Sequence, residues 1–211
     1  MRLHCTSVFP VVMRGVVGVV ALQGAFQEHI DKFAQLGVDA VQIKTPQDLA
    51  RPELVALVLP GGESTAMASI AERWGLLDPL REWVRADRPI WGTCAGMVLL
   101  ADYVEDRSKP HLGGLALRVA RNRYGSQVHS FVSALHTIEP RLEVKGVFIR
   151  APVVTEFDSD KIQVLATLPD SEIPVAVRQG NRIATAFHPE LSESVCWHHW
   201  FAELAGVHTC L

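Results

Sequence analysis

Short apolar runs alternate with amphipathic stretches along the first half of the chain. The segments "GVVGVVAL" at 15–22 and "LVALVLP" at 54–60 are almost continuously apolar, as in strands buried on both faces of a sheet. Between them, "AFQEHIDKFAQLG" carries apolar residues at helical spacing: Phe26, Ile30, Phe33 and Leu36. Gly37 then follows as a helix stop. The pattern predicts strands separated by a helix.

The same alternation continues to about residue 93. "VDAVQI" and "PIWG" are typical of short strands, and helices are predicted over 64–73 and 76–86. After Leu112 the runs become strand-like, and "VAVRQGNRIATAF" indicates a hairpin turning at Gly180 and Asn181. We therefore expect an α/β fold of three layers, with a mostly parallel central sheet, helices on both faces and added antiparallel strands.

Composition narrows the class of protein. The chain has 211 residues, of which 48% are hydrophobic and 20% charged, which fits one globular domain. A formal net charge of −3 gives no basic stripe for nucleic acid and no polybasic segment for a membrane. Four scattered cysteines without a CxxC pair favour neither a disulfide framework nor a zinc site. A reducing, cytoplasmic setting is expected.

The first residues form a separate segment. "MRLHCTSVFPVVM" is faintly similar to a signal peptide, but cleavage after Ala21 or Ala25 would remove the first predicted strand. We therefore interpret residues 1–14 as an N-terminal extension, with Met13 as an alternative start, and residues 15–211 as a single domain.

A cysteine lies at the sharp bend in "RPIWGTCAGMVLL". A strand that ends at a glycine-flanked residue and passes directly into a helix is the architecture of a nucleophile elbow, and Cys94 occupies its centre. The bend would project the thiol from the carboxyl end of a parallel strand, beside free backbone N–H groups that begin at Ala95. A buried structural cysteine in a tight turn is the alternative.

A candidate base comes near the end of the chain, in "ATAFHPEL". Pro189 disfavours a helix at His188, so we expect an extended segment in which His188 and Glu190 project to the same side. Together with Cys94, an imidazole that is oriented by a carboxylate would form a catalytic triad. An ordinary strand-to-helix connection would have the same residues.

A third loop, "LVLPGGEST", again follows an apolar strand. Gly61 and Gly62 allow close approach of the backbone to a ligand, and the N–H groups of Gly62 and Ala95 would form an oxyanion hole. A simpler interpretation is a loop in which Ser64 or Thr65 caps a helix. The two interpretations are compatible.

Six blocks occur in order along the chain: "ALQGAFQEH", "LVLPGGEST", "GTCAGMVLLA", "RNRYGSQVHSF", "VFIRAP" and "ATAFHPEL". In their order and spacing they together resemble the class I glutamine amidotransferases, and specifically the glutaminase subunits of pyridoxal phosphate synthase complexes. The resemblance extends from about Val16 to the last helix. It implies a flavodoxin-like amidotransferase fold and one glutamine amidotransferase domain over 15–211.

The resemblance also implies roles for residues. Cys94 would be the nucleophile, His188 the acid/base and Glu190 its orienting carboxylate. Glutamine would be held by six residues: Gly62, Glu63, Ser64, Arg121, Ile149 and Arg150. Gln23 would lie near the site and the partner surface. From its place on the loop after the first strand, we also expect Gln23 to stabilise the inward orientation of the Gly62 N–H once a partner orders it. Ammonia from L-glutamine would pass to a (β/α)₈-barrel synthase subunit that makes pyridoxal 5'-phosphate, and the chain itself would bind no cofactor and no metal.

Two positions depart from the family pattern. Ser126 stands where arginine is usual and Val132 where glutamate is usual, which affects local or partner contacts more than hydrolysis. The segment "CWHHW" contains Cys196, His198 and His199, a set that is more typical of helix packing than of a metal site. Two other functions stay open: a stand-alone cysteine hydrolase of γ-glutamyl compounds, and a non-catalytic binding or redox-sensing module.

Overall fold

The computed structural model describes residues 15–106, 111–121, 130–141, 143–169 and 171–209. Its helices are α1 Phe26–Gln35, α2 Pro46–Leu49, α3 Ser64–Arg73, α4 Leu77–Arg85, α5 Ala95–Leu100 and α6 Cys196–Leu204. Its strands are β1 Val16–Val20, β2 Ala40–Ile43, β3 Leu54–Leu59, β4 Ile90–Thr93, β5 Ala101–Val104, β6 Leu115–Ala120, β7 Ser130–Ala134, β8 His136–Thr137, β9 Lys145–Ile149, β10 Val153–Phe157, β11 Gln163–Thr167, β12 Pro174–Gln179 and β13 Arg182–Thr185. The predicted extension 1–14, with Met13, and the departure at Ser126 lie outside the described residues.

An eight-stranded sheet forms the centre of the molecule, in the order β2-β1-β3-β4-β13-β12-β11-β8. The first five strands are parallel. The last three join them in antiparallel pairings. The predicted hairpin is present: β12 and β13 turn at Gly180, whose φ of 59° suits glycine. The predicted α/β architecture, with a mostly parallel sheet and added antiparallel strands, is confirmed.

The order of the strands explains why helices cover both faces. The chain moves one way across the sheet from β1 to β2 and the other way from β3 to β4, and right-handed crossovers therefore put α1 and α3 on opposite faces. α6 packs against α1, whereas α4 and α5 accompany α3. None of the helices within the described residues is both long enough and apolar enough to span a membrane.

The sequence pattern did not predict the strand directly after the elbow. The helix α5 has only six residues and passes directly into β5, which joins β6 and β10 in a separate three-stranded sheet. The backbone becomes extended at Ala101, with φ −66° and ψ 136°. Because "AGMVLL" is buried on all sides, its apolar residues show no periodicity that would separate helix from strand.

The helix α1 buries a different face from the one that its apolar residues predict. Phe33 and Leu36 are in the core as expected, but Phe26 and Ile30 are only partly buried. The buried face is completed by two polar residues, His29 and Lys32. Their contacts lie behind the candidate active site.

Candidate active site

Cys94 lies between the last residue of β4 and the first residue of α5. Its backbone has φ 47° and ψ −101°, a left-handed conformation that is costly for a residue with a side chain. The turn is held by the Cys94 N–H, which donates to the carbonyl of Thr185 on β13 at 2.8 Å. The structure thus has the strand-turn-helix geometry that the sequence predicts for a nucleophile elbow.

Two glycines make this turn possible. A Cβ on Gly96 would lie 2.2 Å from the carbonyl oxygen of Leu59, and one on Gly92 would lie 2.4 Å from the backbone of Gly96. Both contacts are with main-chain atoms, which have little freedom to move away. Glycine at 92 and 96 therefore allows α5 to pack directly on β3 and β4.

His188 and Glu190 follow β13, at the same end of the sheet. The His188 N–H donates to the Val147 carbonyl of β9 at 2.8 Å, and His188 Nδ1 lies 2.7 Å from Glu190 Oε1. The predicted contact is present, but the predicted extended segment is wrong, because Pro189 begins a short 3₁₀ helix, Pro189–Leu191. Proline is favoured at the first helical position, and this tight turn brings the carboxylate back to the imidazole.

The electrostatics of this pair favour a charged imidazole. Burial disfavours the imidazolium, but hydrogen bonds with Cys94 and Glu190 outweigh it and raise the pKa of His188 to about 10. Burial would raise the pKa of Glu190, yet contacts with His29 and His188 lower it overall. His188 is therefore protonated and Glu190 ionised at neutral pH. The ring packs so closely on Gly61 that a Cβ there would lie 2.3 Å from its Cε1 atom.

The loop after β3 is held by the loop after β1. The Gly61 carbonyl accepts a hydrogen bond from the Ala25 N–H at 3.0 Å. Gln23 Oε1 accepts one from the Glu63 N–H at 2.7 Å. In the chain alone, the Gln23 amide thus reaches past Gly62 to the next peptide, and its predicted action on the Gly62 N–H in the presence of a partner stays a prediction.

The cap of α3 also differs from the expectation. Neither Ser64 nor Thr65 caps this helix; the carboxylate of Glu63 accepts from the N–H groups of Thr65 and Ala66. Burial would raise the pKa of Glu63, but these hydrogen bonds and the charge of Arg121 lower it overall. Arg121 donates to Thr65 Oγ1 at 3.1 Å and forms an ion pair with Asp106.

These elements enclose one cleft of about 460 Å³. Nine of the eleven predicted site residues line it: Gly62, Glu63, Ser64, Cys94, Ala95, Arg121, Ile149, Arg150 and His188. The exceptions are Glu190, which lies behind His188, and Gln23, which lies behind the loop after β3. The Ile149 carbonyl is 3.8 Å from Cys94 Sγ. Arg150 has φ 47° and makes no ion pair with another described residue.

The ribbon of β7 and β9 places Ile149 and Arg150 at the cleft. Phe148 anchors this ribbon: its ring stacks on Phe131 at 4.6 Å and meets Phe187 edge-on at 5.7 Å. Val132, one of the two departures from the family pattern, is 61% exposed on β7 and does not line the cleft.

Sequence reasoning missed one histidine that contacts the triad from behind, His29. His29 of α1 lies 3.3 Å from Glu190 and 2.9 Å from His198 of α6. The available signal was the position of His29 four residues before Phe33 and seven before Leu36, on the same helical face. His199 of the same "CWHHW" segment lies 3.6 Å from Glu203 instead.

Within the described part of the chain, no cluster of three or more ligand-type residues is arranged to hold a metal.

Comparison with known proteins identifies the class to which this fold and cleft belong. A crystal structure described as a glutamine amidotransferase superposes with a TM-score of 0.84 at 43% identity, covering 92% of this chain and all of that one. Residues 19–206 match the model of the SNO glutamine amidotransferase family, and the chain belongs to that family.

Curated relatives carry a more specific name. Pyridoxal 5'-phosphate synthase subunit PdxT of Tropheryma whipplei (strain TW08/27) is 42% identical over 189 residues, which cover 89% of this chain and 97% of the relative. The protein of the same name from Carboxydothermus hydrogenoformans is also 42% identical, over 89% of this chain and 96% of its own length.

Proposed function

We propose that this chain is the glutaminase subunit of a pyridoxal 5'-phosphate synthase, hydrolysing L-glutamine to L-glutamate and ammonia. The observation that carries the proposal is the convergence of Cys94, His188 and Glu190 at the carboxyl end of the parallel strands, in a fold with free space above the thiol. The names of its relatives supply the synthase.

In the proposed mechanism the Cys94 thiolate attacks the side-chain amide carbon of glutamine. The C–S bond forms as the carbonyl electrons move to oxygen, and the N–H groups of Gly62 and Ala95 stabilise the oxyanion. The C–N bond then breaks, and ammonia leaves with the proton that His188 holds. His188 next takes a proton from water, the resulting hydroxide attacks the thioester, and the thiolate departs to leave glutamate.

The charges of the cleft suit the two ends of the amino acid. The positive charge of Arg121 is already compensated by Asp106 and Glu63, whereas Arg150 has no such partner among the described residues. Arg150 is therefore the group that binds the α-carboxylate, since a guanidinium matches its geometry. Glu63, with the backbone of Ser64 and Ile149, faces the α-ammonium group.

The proposal includes a partner that receives the ammonia. Ammonia passes to a (β/α)₈-barrel synthase subunit, and residues 15–211 act as one amidotransferase domain in the cytoplasm. Binding of the partner selects the orientation of the Gly61–Gly62 peptide in which the Gly62 N–H faces the site, because glycine tolerates both orientations. Gln23 contributes by holding the next peptide.

Glutamate release tests this function, measured for the chain alone and with the synthase subunit. The expected result is a low rate alone and strong activation by the partner, since loss of one oxyanion donor costs about 10²- to 10³-fold. Gln23→Ala should reduce the activation, whereas Gln27→Ala should not, because Gln27 is exposed and bonds Asp31 on α1. A full rate from the lone chain, unchanged by the partner, would favour a stand-alone hydrolase. Absence of glutamate release with the partner would leave only a binding or sensing role.

A further inference from the structure

A chain of buried polar contacts continues behind Glu190. Glu190 Oε1 contacts His188, and Oε2 lies 3.3 Å from His29 Nε2. His29 Nε2 is also 3.2 Å from Thr93 Oγ1, and His29 Nδ1 is 2.9 Å from His198 Nε2. The contacts connect α1 and α6 to the carboxylate of the triad and, through Thr93, to the residue that precedes the elbow cysteine.

These groups are removed from water. The side chains of His29 and Glu190 have no exposed surface, and His198 is 0% exposed. Burial lowers the pKa of His29 and lowers that of His198 well below its usual value, so both rings are neutral. The charged groups around them are Glu190, His188, Glu28 and Lys32.

When the rings of His29 and His198 are both neutral, only one arrangement of their protons makes every close contact favourable. His29 donates from Nε2, between Glu190 Oε2 and Thr93 Oγ1, and its Nδ1 is then the acceptor for the Nε2–H of His198. His198 Nδ1 carries a lone pair in this arrangement, which agrees with its having no hydrogen-bond partner among the described residues. The reverse tautomer of His29 would turn a lone pair toward an ionised carboxylate.

The contact between His29 Nε2 and Glu190 Oε2 is mainly electrostatic and is not an aligned hydrogen bond. At 3.3 Å it is long, and Oε2 has no other hydrogen-bond partner in the described part of the chain. The N–H dipole of His29 is thus the compensation available to this half of a buried charge, and a buried polar atom without any partner is destabilising. It also restricts rotation of the carboxylate about its terminal torsion.

The helix that carries His29 is fixed to the same segment at a second point. Lys32, one turn further along α1, donates through Nζ to the Ser192 carbonyl at 2.6 Å, immediately after the 3₁₀ helix that holds Glu190. Ring packing places His29 edge-on to Trp91 at 5.7 Å. The position of Nε2 relative to Glu190 is therefore determined by several elements.

We propose that His29 is a positioning residue of the glutaminase triad, which holds the Glu190 carboxylate toward His188, and that His198 fixes the tautomer of His29. The inference rests on the proposed function of the triad. His29 does not touch the substrate; it acts through the orientation of Glu190 and hence of the His188 ring.

Four variants in the complex with the synthase subunit separate this role from packing. His29→Phe keeps a ring and removes all three polar contacts; His29→Gln can still reach Glu190 with an N–H; His29→Asn can still contact His198 but not Glu190. His199→Phe, on the same helix as His198, is the matched control because His199 contacts Glu203 and not the triad. Thermal unfolding shows whether each variant is folded.

The expected result is a kcat for His29→Phe and His29→Asn that is about 10- to 100-fold lower, with the KM for glutamine unchanged. His29→Gln and His199→Phe should retain most of the wild-type kcat. Because the contact with Glu190 raises the pKa of His188, the alkaline limb of the kcat/KM profile should also move to lower pH in His29→Phe and His29→Asn only.

A purely structural His29 would give other results. Equal kcat and equal alkaline limbs in folded His29→Asn and His29→Gln would overturn the inference, and this pair decides the matter even if His29→Phe does not fold. Absence of turnover in the wild-type complex would instead count against the proposed glutaminase function, so the two failures are distinguishable.

Discussion

The two arginines of the cleft differ in how far their charge is already compensated. Arg121 is paired with Asp106 and lies near Glu63, whereas Arg150 is held at the end of β9 in a left-handed conformation, with no ion pair to a described residue. An uncompensated guanidinium at the mouth of a cleft is a binding group for a carboxylate.

Arg150→Ala should therefore weaken glutamine binding more than it slows the chemistry. Loss of a charge-assisted hydrogen bond costs roughly 1.5 to 3 kcal/mol, which raises KM about tenfold or more at nearly constant kcat. Steady-state kinetics of the complex check this. Arg118→Ala is the control, because Arg118 pairs with Glu156 outside the cleft. An unchanged KM for Arg150→Ala would contradict the assignment of Arg150 to the α-carboxylate.

His188→Ala should show the opposite pattern: glutamine binding should be kept and turnover lost.

At the scale of residues, the sequence predicted the side chains that meet at the cleft where they lie in short motifs. The flanking glycines indicate a special role for Cys94, and the neighbouring Pro189 and Glu190 indicate one for His188. No motif surrounds His29, and a polar residue inside an amphipathic helix is usually solvated. Its burial depends on α6, which lies 169 residues further along the chain at His198.

The turn between β4 and α5 is the element on which the site depends. It combines a strained Cys94 with two glycines that contact neighbouring backbone, so the strain is maintained by packing of the whole element. A change that moves α5 should therefore affect the nucleophile as well as stability.

Gly96→Ala tests this dependence. The added Cβ would lie 2.2 Å from the Leu59 carbonyl oxygen, and overpacking of this kind costs about 1–3 kcal/mol or more. The melting temperature should fall by about 2–4 °C for each kcal/mol, and kcat should fall with it. Gly206→Ala is the control: at φ 73° it is strained by about 1–2 kcal/mol, but nothing lies within 4 Å and kcat should be unchanged. A Gly96→Ala enzyme of normal kcat would show that α5 does not position the thiol.

Helices and strands were predictable where the hydrophobic periodicity is strong or where glycine or proline marks a turn. The helix over 64–73 and the hairpin at Gly180 are found as predicted, whereas β5 was missed inside an apolar run. The 3₁₀ helix after His188 was missed because Pro189 is compatible with an extended chain and with a helix start. Only tertiary contacts decide between such alternatives.

At the scale of the whole molecule, the sheet brings distant segments to one edge. Cys94 follows β4 and His188 follows β13, and these two strands are parallel neighbours although β5 to β12 lie between them along the chain. The parallel order was predictable from the alternation of strands and helices. The insertion of β13 beside β4 was not, because strand order depends on contacts between segments that are far apart in the sequence.

The distribution of cysteines over the molecule provides the most direct test of Cys94 as the nucleophile. Cys94 is only 7% exposed, Cys196 is more accessible, and Cys5 and Cys210 lie outside the described residues. Simple accessibility would therefore favour a cysteine other than Cys94, whereas activation by His188 and recognition of glutamine favour Cys94.

The decisive measurement is peptide mapping by mass spectrometry after the complex with the synthase subunit reacts with a glutamine-like diazo-ketone. We expect that the adduct forms first at Cys94, that excess L-glutamine slows its formation, and that His188→Ala suppresses it. Labelling mainly at Cys5, Cys196 or Cys210, at a rate that glutamine does not change, would contradict the assignment of Cys94 as the nucleophile of a glutaminase.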